Sequence, residues 1–316
     1  MSQRVRTFRK VLKTVLPFLL VVFLVLVIVT GWLVYSVTRP PRAAYLITPQ
    51  TFSTVTGPIL KATDVTWKNR DGSDARGWMI RGADGAPAVV LLHGYGADRS
   101  WLLNLAVKLN ETTNYTVLWP DLRGHGENPP VTWTLFGGVD GDDVAAAIEF
   151  LRSLKTAQGK PQVGSRFGVY GIGLGAYAAL SAAKQTSDVR ALALDSAPTS
   201  PEDLIGAATN TRMGFRSSMF QRLAVTGVRV YGLGKFQNTP SCELARSLRD
   251  VRVLLLAGGE GDAWRRSTLD LVPCLKSQTE VRKDLTLTGA SLPSATGEQE
   301  EAYDRPVIEF FDKSLR

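Results

Sequence analysis

The sequence predicts an α/β domain with a doubly wound, mostly parallel sheet, preceded by one N-terminal transmembrane helix and interrupted by a small helical insertion. Three observations carry this. Apolar runs that read as strands alternate with helical patterns from about Thr63 to Leu315. Residues 166–180 (RFGVYGIGLGAYAAL) have the outline of a strand, a glycine turn and a helix. Residues 14–37 form a run of 24 uncharged, mostly apolar residues.

Taken in order, residues 1–13 are a basic tail, and residues 14–37 are long enough as a helix to cross a hydrocarbon core of about 30 Å. Trp32 and Tyr35 stand where an interfacial aromatic belt would be. Five basic residues precede the run and Arg39 and Arg42 follow it, so the tail is expected in the cytoplasm and the remainder outside. A cleaved signal peptide is the competing reading, but no small-x-small site follows the run. The net charge of +8 resides in this region. Residues 1–42 hold seven basic residues and no acid, leaving 30 basic against 29 acidic residues beyond, which argues against a nucleic-acid partner.

Residues 38–59, rich in Pro and Thr, read as an extended stalk or as a segment lying along the domain. The domain proper is expected over 60–316. Residues 64–68 and 76–80 flank Asn69-Arg70-Asp71-Gly72 as a hairpin. Residues 86–92 read as a strand buried on both faces, followed by a helix capped by Asp98 or Ser100. Strand 115–120 and helix 142–154 come next, then the strand–turn–helix at 166–180 and strand 189–194. Residues 197–248, with Pro198, Pro201 and Pro240, read as the insertion. Strand 251–256, helix 265–276, strand 284–288 and a last helix near Leu315 complete the pattern. Val307, Phe310, Phe311 and Leu315 share one face of that helix, and Pro306 suits only its first turn. Cys242 and Cys274 are either free thiols or one disulfide. Two histidines and two cysteines in separate motifs make no metal set, and no cofactor is expected.

Four motifs, in order along residues 60–316, make the chain resemble the α/β-hydrolase superfamily. Leu92-His93-Gly94-Tyr95-Gly96 looks like the H-G-x-G oxyanion loop, and Asp121-Leu122-Arg123-Gly124-His125-Gly126 resembles the D-x-R-G-H-G loop. Gly171-Ile172-Gly173-Leu174-Gly175 resembles the G-x-S-x-G nucleophile elbow, and Gly259-Glu260-Gly261-Asp262 the acid-bearing loop. The resemblance implies a hydrolase fold with residues 197–248 as a small lid, most like anchored single-domain serine hydrolases. It also implies Ser, Asp and His in that order. Here the nucleophile position is Gly173, the acid position is Asp262, and the base position in Gly289-Ala290-Ser291-Leu292 falls on Leu292. His93 and His125 both precede the elbow and belong to its loop motifs.

Glycine at the elbow relieves a strain that an active enzyme tolerates for its nucleophile. Loss of both Ser and His therefore fits a decayed triad. The backbone donors of an oxyanion hole, expected at Leu174 and Tyr95, would survive that loss. The expected function is a membrane-anchored, non-catalytic module that binds a small carbonyl or carboxylate ligand or acts as a scaffold. The alternative is an active esterase, lipase or peptidase using displaced groups, and a third reading is a purely structural envelope protein.

Overall fold

The computed structural model describes residues 3–56, 61–260, 262–276, 278–295 and 297–316. Its centre is an eight-stranded sheet in the order β1-β2-β4-β3-β5-β6-β7-β8. β1 (Thr63–Lys68), β2 (Asp74–Ile80) and β4 (Thr116–Pro120) pair antiparallel. β3 (Ala88–Leu92), β5 (Phe167–Ile172), β6 (Val189–Asp195), β7 (Arg252–Gly258) and β8 (Thr279–Leu285) are parallel, and β3 also pairs parallel with β4. The inner strands are buried on both faces, and alternate side chains feed two apolar layers. Val90, Leu92, Val169 and Leu192 point to one layer, and Val89, Leu91, Tyr170 and Ala191 to the other.

The first layer is covered by α4 (Gly138–Ser153) and α5 (Leu174–Gln185). The second is covered by α3 (Leu103–Thr113) and the last helix, Gly297–Leu315. Asp98 caps the 3₁₀ turn Arg99–Leu102 ahead of α3, its Oδ1 accepting from the Ser100 N–H at 2.8 Å. The insertion supplies helices α6 (Pro201–Met213), α7 (Ser218–Tyr231) and α8 (Ser241–Ser247).

Helix α1 runs unbroken from Gln3 to Thr38, and from Lys13 to Thr38 its mean hydropathy reaches 2.8, enough to cross a membrane by length and composition. Its side chains from Lys13 to Ile28 are exposed, whereas Leu33, Val34 and Val37 are buried in the first layer with Ala224 and Val228 of α7. The chain after α1 lies on the domain. The Thr134 N–H donates to the Thr38 carbonyl at 2.8 Å, the Arg42 guanidinium to the Thr132 carbonyl, and the Leu46 N–H to Ser100 Oγ. A short helix, α2 (Pro49–Thr56), follows in a segment for which no helix is predicted.

Three departures from the sequence reading have a plain physical reason. β8 begins at Thr279, five residues before the predicted strand, because it is an edge strand whose Glu280, Arg282, Lys283 and Asp284 hide the apolar alternation. The predicted helix 265–276 divides into α9 (Arg265–Leu269) and a 3₁₀ turn, Val272–Cys274, since Pro273 has no N–H to continue it. The last helix, α10 (Gly297–Leu315), contains Pro306 in its interior. The buried face of Tyr303, Val307, Phe310 and Phe311 against the sheet outweighs the one hydrogen bond lost.

Cys242 on α8 and Cys274 are joined in a disulfide, Cα atoms 5.2 Å apart, which ties the insertion to the loop before β8. The loop it closes has a sequence separation of 32. A Cys242→Ala/Cys274→Ala variant is therefore expected to lose about 3–4 kcal/mol. Urea unfolding of the detergent-solubilised chain tests this, and unchanged stability would show that the bridge constrains nothing.

Candidate functional site

The loops after β3, β5, β6, β7 and β8 meet at the carboxyl edge of the parallel sheet, where open α/β sheets bind ligands. There they line a cavity of about 710 Å³, roofed by Leu204, Ala207, Ala208 and Thr211 of α6 and flanked by Trp101 and Trp264. Gly173 sits on its floor as the N-cap of α5, at φ +53° and ψ −105°. A Cβ built there would meet nothing within 4 Å. The flanking glycines are fixed by contact. A Cβ on Gly171 would lie 2.3 Å from the Gly175 carbonyl carbon, and one on Gly175 would lie 2.6 Å from the Leu92 carbonyl oxygen. The turn thus needs Gly171 and Gly175 for close packing, while Gly173 faces open space in a conformation unfavourable to other residues.

Gly94, Tyr95 and Leu174 line the same cavity. Among the described residues no acceptor takes the backbone N–H of Tyr95 or Leu174. The Tyr95 side chain turns away from the floor. Its hydroxyl donates to the Val37 carbonyl of α1 at 2.8 Å, and its ring stacks on Phe136.

Asp262 lies on the cavity wall, half-buried, with its Oδ1 accepting from the Trp264 N–H at 2.5 Å. No imidazole reaches it. His93 and His125 are fully buried in the loop layer, edge to face at 5.1 Å. His93 Nε2 accepts from the Leu122 N–H at 2.9 Å, and His125 Nδ1 lies 2.9 Å from the Arg123 carbonyl. Burial pushes both imidazoles below their usual pKa, which suits neutral packing groups. Asp121 accepts from the Tyr45 hydroxyl at 2.6 Å and the Arg99 N–H at 3.1 Å, and Arg123 pairs with Asp143 and Asp71. These motif residues fasten loops together.

Leu292, the predicted base position, is not among the residues lining the cavity. Leu292, in the 3₁₀ turn Gly289–Ser294, packs against the apolar layer, while Thr288, Gly289 and Ser291 line the cavity. A histidine at 292 would thus start from the apolar layer and not from the cavity wall.

One group packed behind the cavity lining is absent from the sequence reading. Asp195, at the end of β6, is fully buried, and its backbone carbonyl accepts from the Gly173 N–H at 2.9 Å. Its Oδ1 accepts from the Ser196 hydroxyl at 2.7 Å. Its Oδ2 accepts from the Gly289 N–H at 2.8 Å and from the Tyr303 hydroxyl, which in turn lies 2.5 Å from the Tyr170 hydroxyl. Burial raises the Asp195 carboxyl to about 6, against the opposing pull of those three donors. Ser196 faces the cavity at φ +52°, a strained position for a serine. The available signal was an acid at the carboxyl end of an apolar run, in Ala191-Leu192-Ala193-Leu194-Asp195-Ser196.

Among solved structures, an esterase from Pyrococcus furiosus matches with a TM-score of 0.65 at 19% identity, over 88% of this chain and 98% of its own. The alpha/beta hydrolase GrgF from Penicillium matches with a TM-score of 0.56 at 15% identity, over 81% of this chain and 99% of its own. The acylaminoacyl peptidase of Pyrococcus horikoshii matches with a TM-score of 0.56 at 17% identity, over 83% of this chain and 44% of its own. At these identities the likeness shows the fold. A search of curated proteins finds no significant match. A sequence model of the alpha/beta hydrolase family matches residues 89–302, more than half of the chain and all four of the loop motifs. By fold, loop order and family match together, the chain belongs to the alpha/beta hydrolase family.

Proposed function

We propose that this is a membrane-anchored alpha/beta hydrolase-family protein whose triad no longer works and whose cavity binds a small ligand bearing a carbonyl or carboxylate. One observation carries the reading: the elbow apex on the cavity floor is Gly173, open above, and neither histidine of the chain lines the cavity. The unengaged N–H groups of Tyr95 and Leu174 are the donors for the ligand oxygen. A protein of this design binds without cutting, because nothing attacks the carbonyl and nothing takes up a proton. Helix α1 is the anchor, with the domain outside. The Cys242–Cys274 disulfide supports that side, since such bonds persist in oxidising compartments.

The test is a fluorophosphonate probe and short-chain p-nitrophenyl esters applied to the purified full chain. Wild type is expected to remain unlabelled and silent. Gly173→Ser has room for its hydroxyl, so it is combined with Leu292→His and, separately, with Ser291→His, which starts from the cavity wall. Labelling of either double variant would show that elbow and donors remain aligned. Labelling of wild type would overturn the reading.

A second reading, an active hydrolase with displaced groups, is favoured by Ser196. It is a strained serine in the cavity with its hydroxyl on a buried carboxylate. Wild-type labelling that disappears in Ser196→Ala would establish it.

A further inference from the structure

The uncharged run of α1 begins at Thr14, just after the charged Lys13, and its side chains are exposed as far as Ile28, a stretch of about 22 Å at 1.5 Å per residue, short of a hydrocarbon core of about 30 Å. About five more residues complete the span, and these are Val29 to Leu33, where α1 is already packed on the lid. Gly227 of α7 sits against Thr30 and Val34, so close that a Cβ on it would be 2.4 Å from Val34. The hydrocarbon boundary therefore falls at the level where α1 and α7 touch.

We infer that the outer face of α7 and the turn after it form a lipid-contacting surface that lies in the same leaflet as the end of the anchor. This rests on the reading of α1 as a membrane span. Val230 and Tyr231 border a groove of about 600 Å³ with Thr30 and Gly31 of α1, and they and Leu233 remain exposed, Leu233 at 88%. An apolar side chain that open to water, beside a helix built for lipid, is accounted for by acyl chains. The charge fits as well. From Arg212 to Lys235 the lid holds five basic residues and no acidic one; Arg229 pairs with Glu202 of α6 and Arg212 donates to the Arg39 carbonyl, which leaves Arg216, Arg222 and Lys235 to meet phosphate headgroups. Two independent features, the length deficit of α1 and the basic, apolar lid beside it, point to the same occupant.

Spin labels read the depth directly in the purified full chain, reconstituted into phosphatidylcholine–phosphatidylglycerol vesicles. The labels are placed at Leu233→Cys and Val230→Cys on the lid, at Leu24→Cys as the anchor reference and at Gln158→Cys as the aqueous one. The native cysteines are bonded to each other and do not react. Both lid labels are expected to collide more with oxygen than with a water-soluble nickel chelate, as the Leu24 label does, with the ratio reversed at Gln158. A buried Leu24 label with lid labels open to the chelate would overturn the lid surface and leave the anchor standing. A Leu24 label open to the chelate would remove both. Lid labels shielded from oxygen and chelate alike would show a protein contact in place of lipid and would overturn the proposal.

Discussion

Gly171→Ala is expected to cost more than about 3 kcal/mol and to deplete folded protein on expression. The added Cβ would lie 2.3 Å from the Gly175 carbonyl carbon and oxygen and 2.6 Å from the Ala176 nitrogen, all backbone. Backbone cannot rotate aside as a flexible side chain can, so α5 has to move as a unit. That helix buries ten consecutive residues, Leu174 to Ala183, against the sheet and α4. Overpacking alone costs about 1–3 kcal/mol, and a displaced core helix adds to it in a fold whose whole stability is about 5–15 kcal/mol. Gly173→Ala is the control. Its Cβ meets nothing, so it bears only the penalty of a positive φ, about 1–2 kcal/mol. Thermal unfolding followed by circular dichroism ranks the two, and a Gly171→Ala protein at least as stable as Gly173→Ala would refute the close-packing argument.

Removing Asp195 should be comparably severe, and the replacement chosen decides the sign. In Asp195→Leu the Gly289 N–H and the Ser196 and Tyr303 hydroxyls lose their buried acceptor, for an expected loss of about 3–5 kcal/mol. Asp195→Asn keeps an acceptor oxygen without the charge. The folded carboxyl titrates at about 6 against about 3.9 in an unfolded chain, so between those values the folded state holds more protons. Stability from this group is accordingly greatest below pH 4 and falls as the pH rises through 6. The gap approaches about 3 kcal/mol. Relative to wild type, Asp195→Asn should gain roughly 2–3 kcal/mol between pH 4 and pH 7.5, because it has no charge to bury. Asp143 and Asp304, also raised by burial, titrate in both proteins and cancel in the difference. A difference that stays flat with pH would mean that Asp195 is ionised normally.

The contrast between Gly173 and Asp195 shows what could be read in advance. Gly171, Gly173 and Gly175 are legible because a tight strand–helix turn writes itself in five adjacent residues. The same holds for the loop motifs at His93 and His125, and for the buried strands, whose apolar runs are continuous. Asp195 meets Tyr303 across 108 positions, and no local pattern announces a bond of that kind. Counting along a turn leads to Leu292, but which side of a 3₁₀ turn faces the cavity is settled by packing against the second layer. The sequence shows only the local cost of Pro306, whereas the aromatic face of α10 decides the outcome. The end of α1 was legible as apolar and not as part of a domain, since a lipid-facing and a protein-facing leucine look alike in sequence.

That last ambiguity has a consequence for the order of synthesis. Leu33, Val34 and Val37 emerge from the ribosome about 190 residues before Ala224, Gly227 and Val228, which cover them in the finished protein. At about 5–20 residues per second, the interval is roughly 10–40 s. For that time these apolar side chains lack their partners from α7, and a hydrophobic refuge is needed. If the bilayer provides it, the emergence of α7 brings an exchange. The last turns of the helix leave lipid contact on one side as the insertion arrives and docks, so assembly of the cavity roof is a late event timed by chain length.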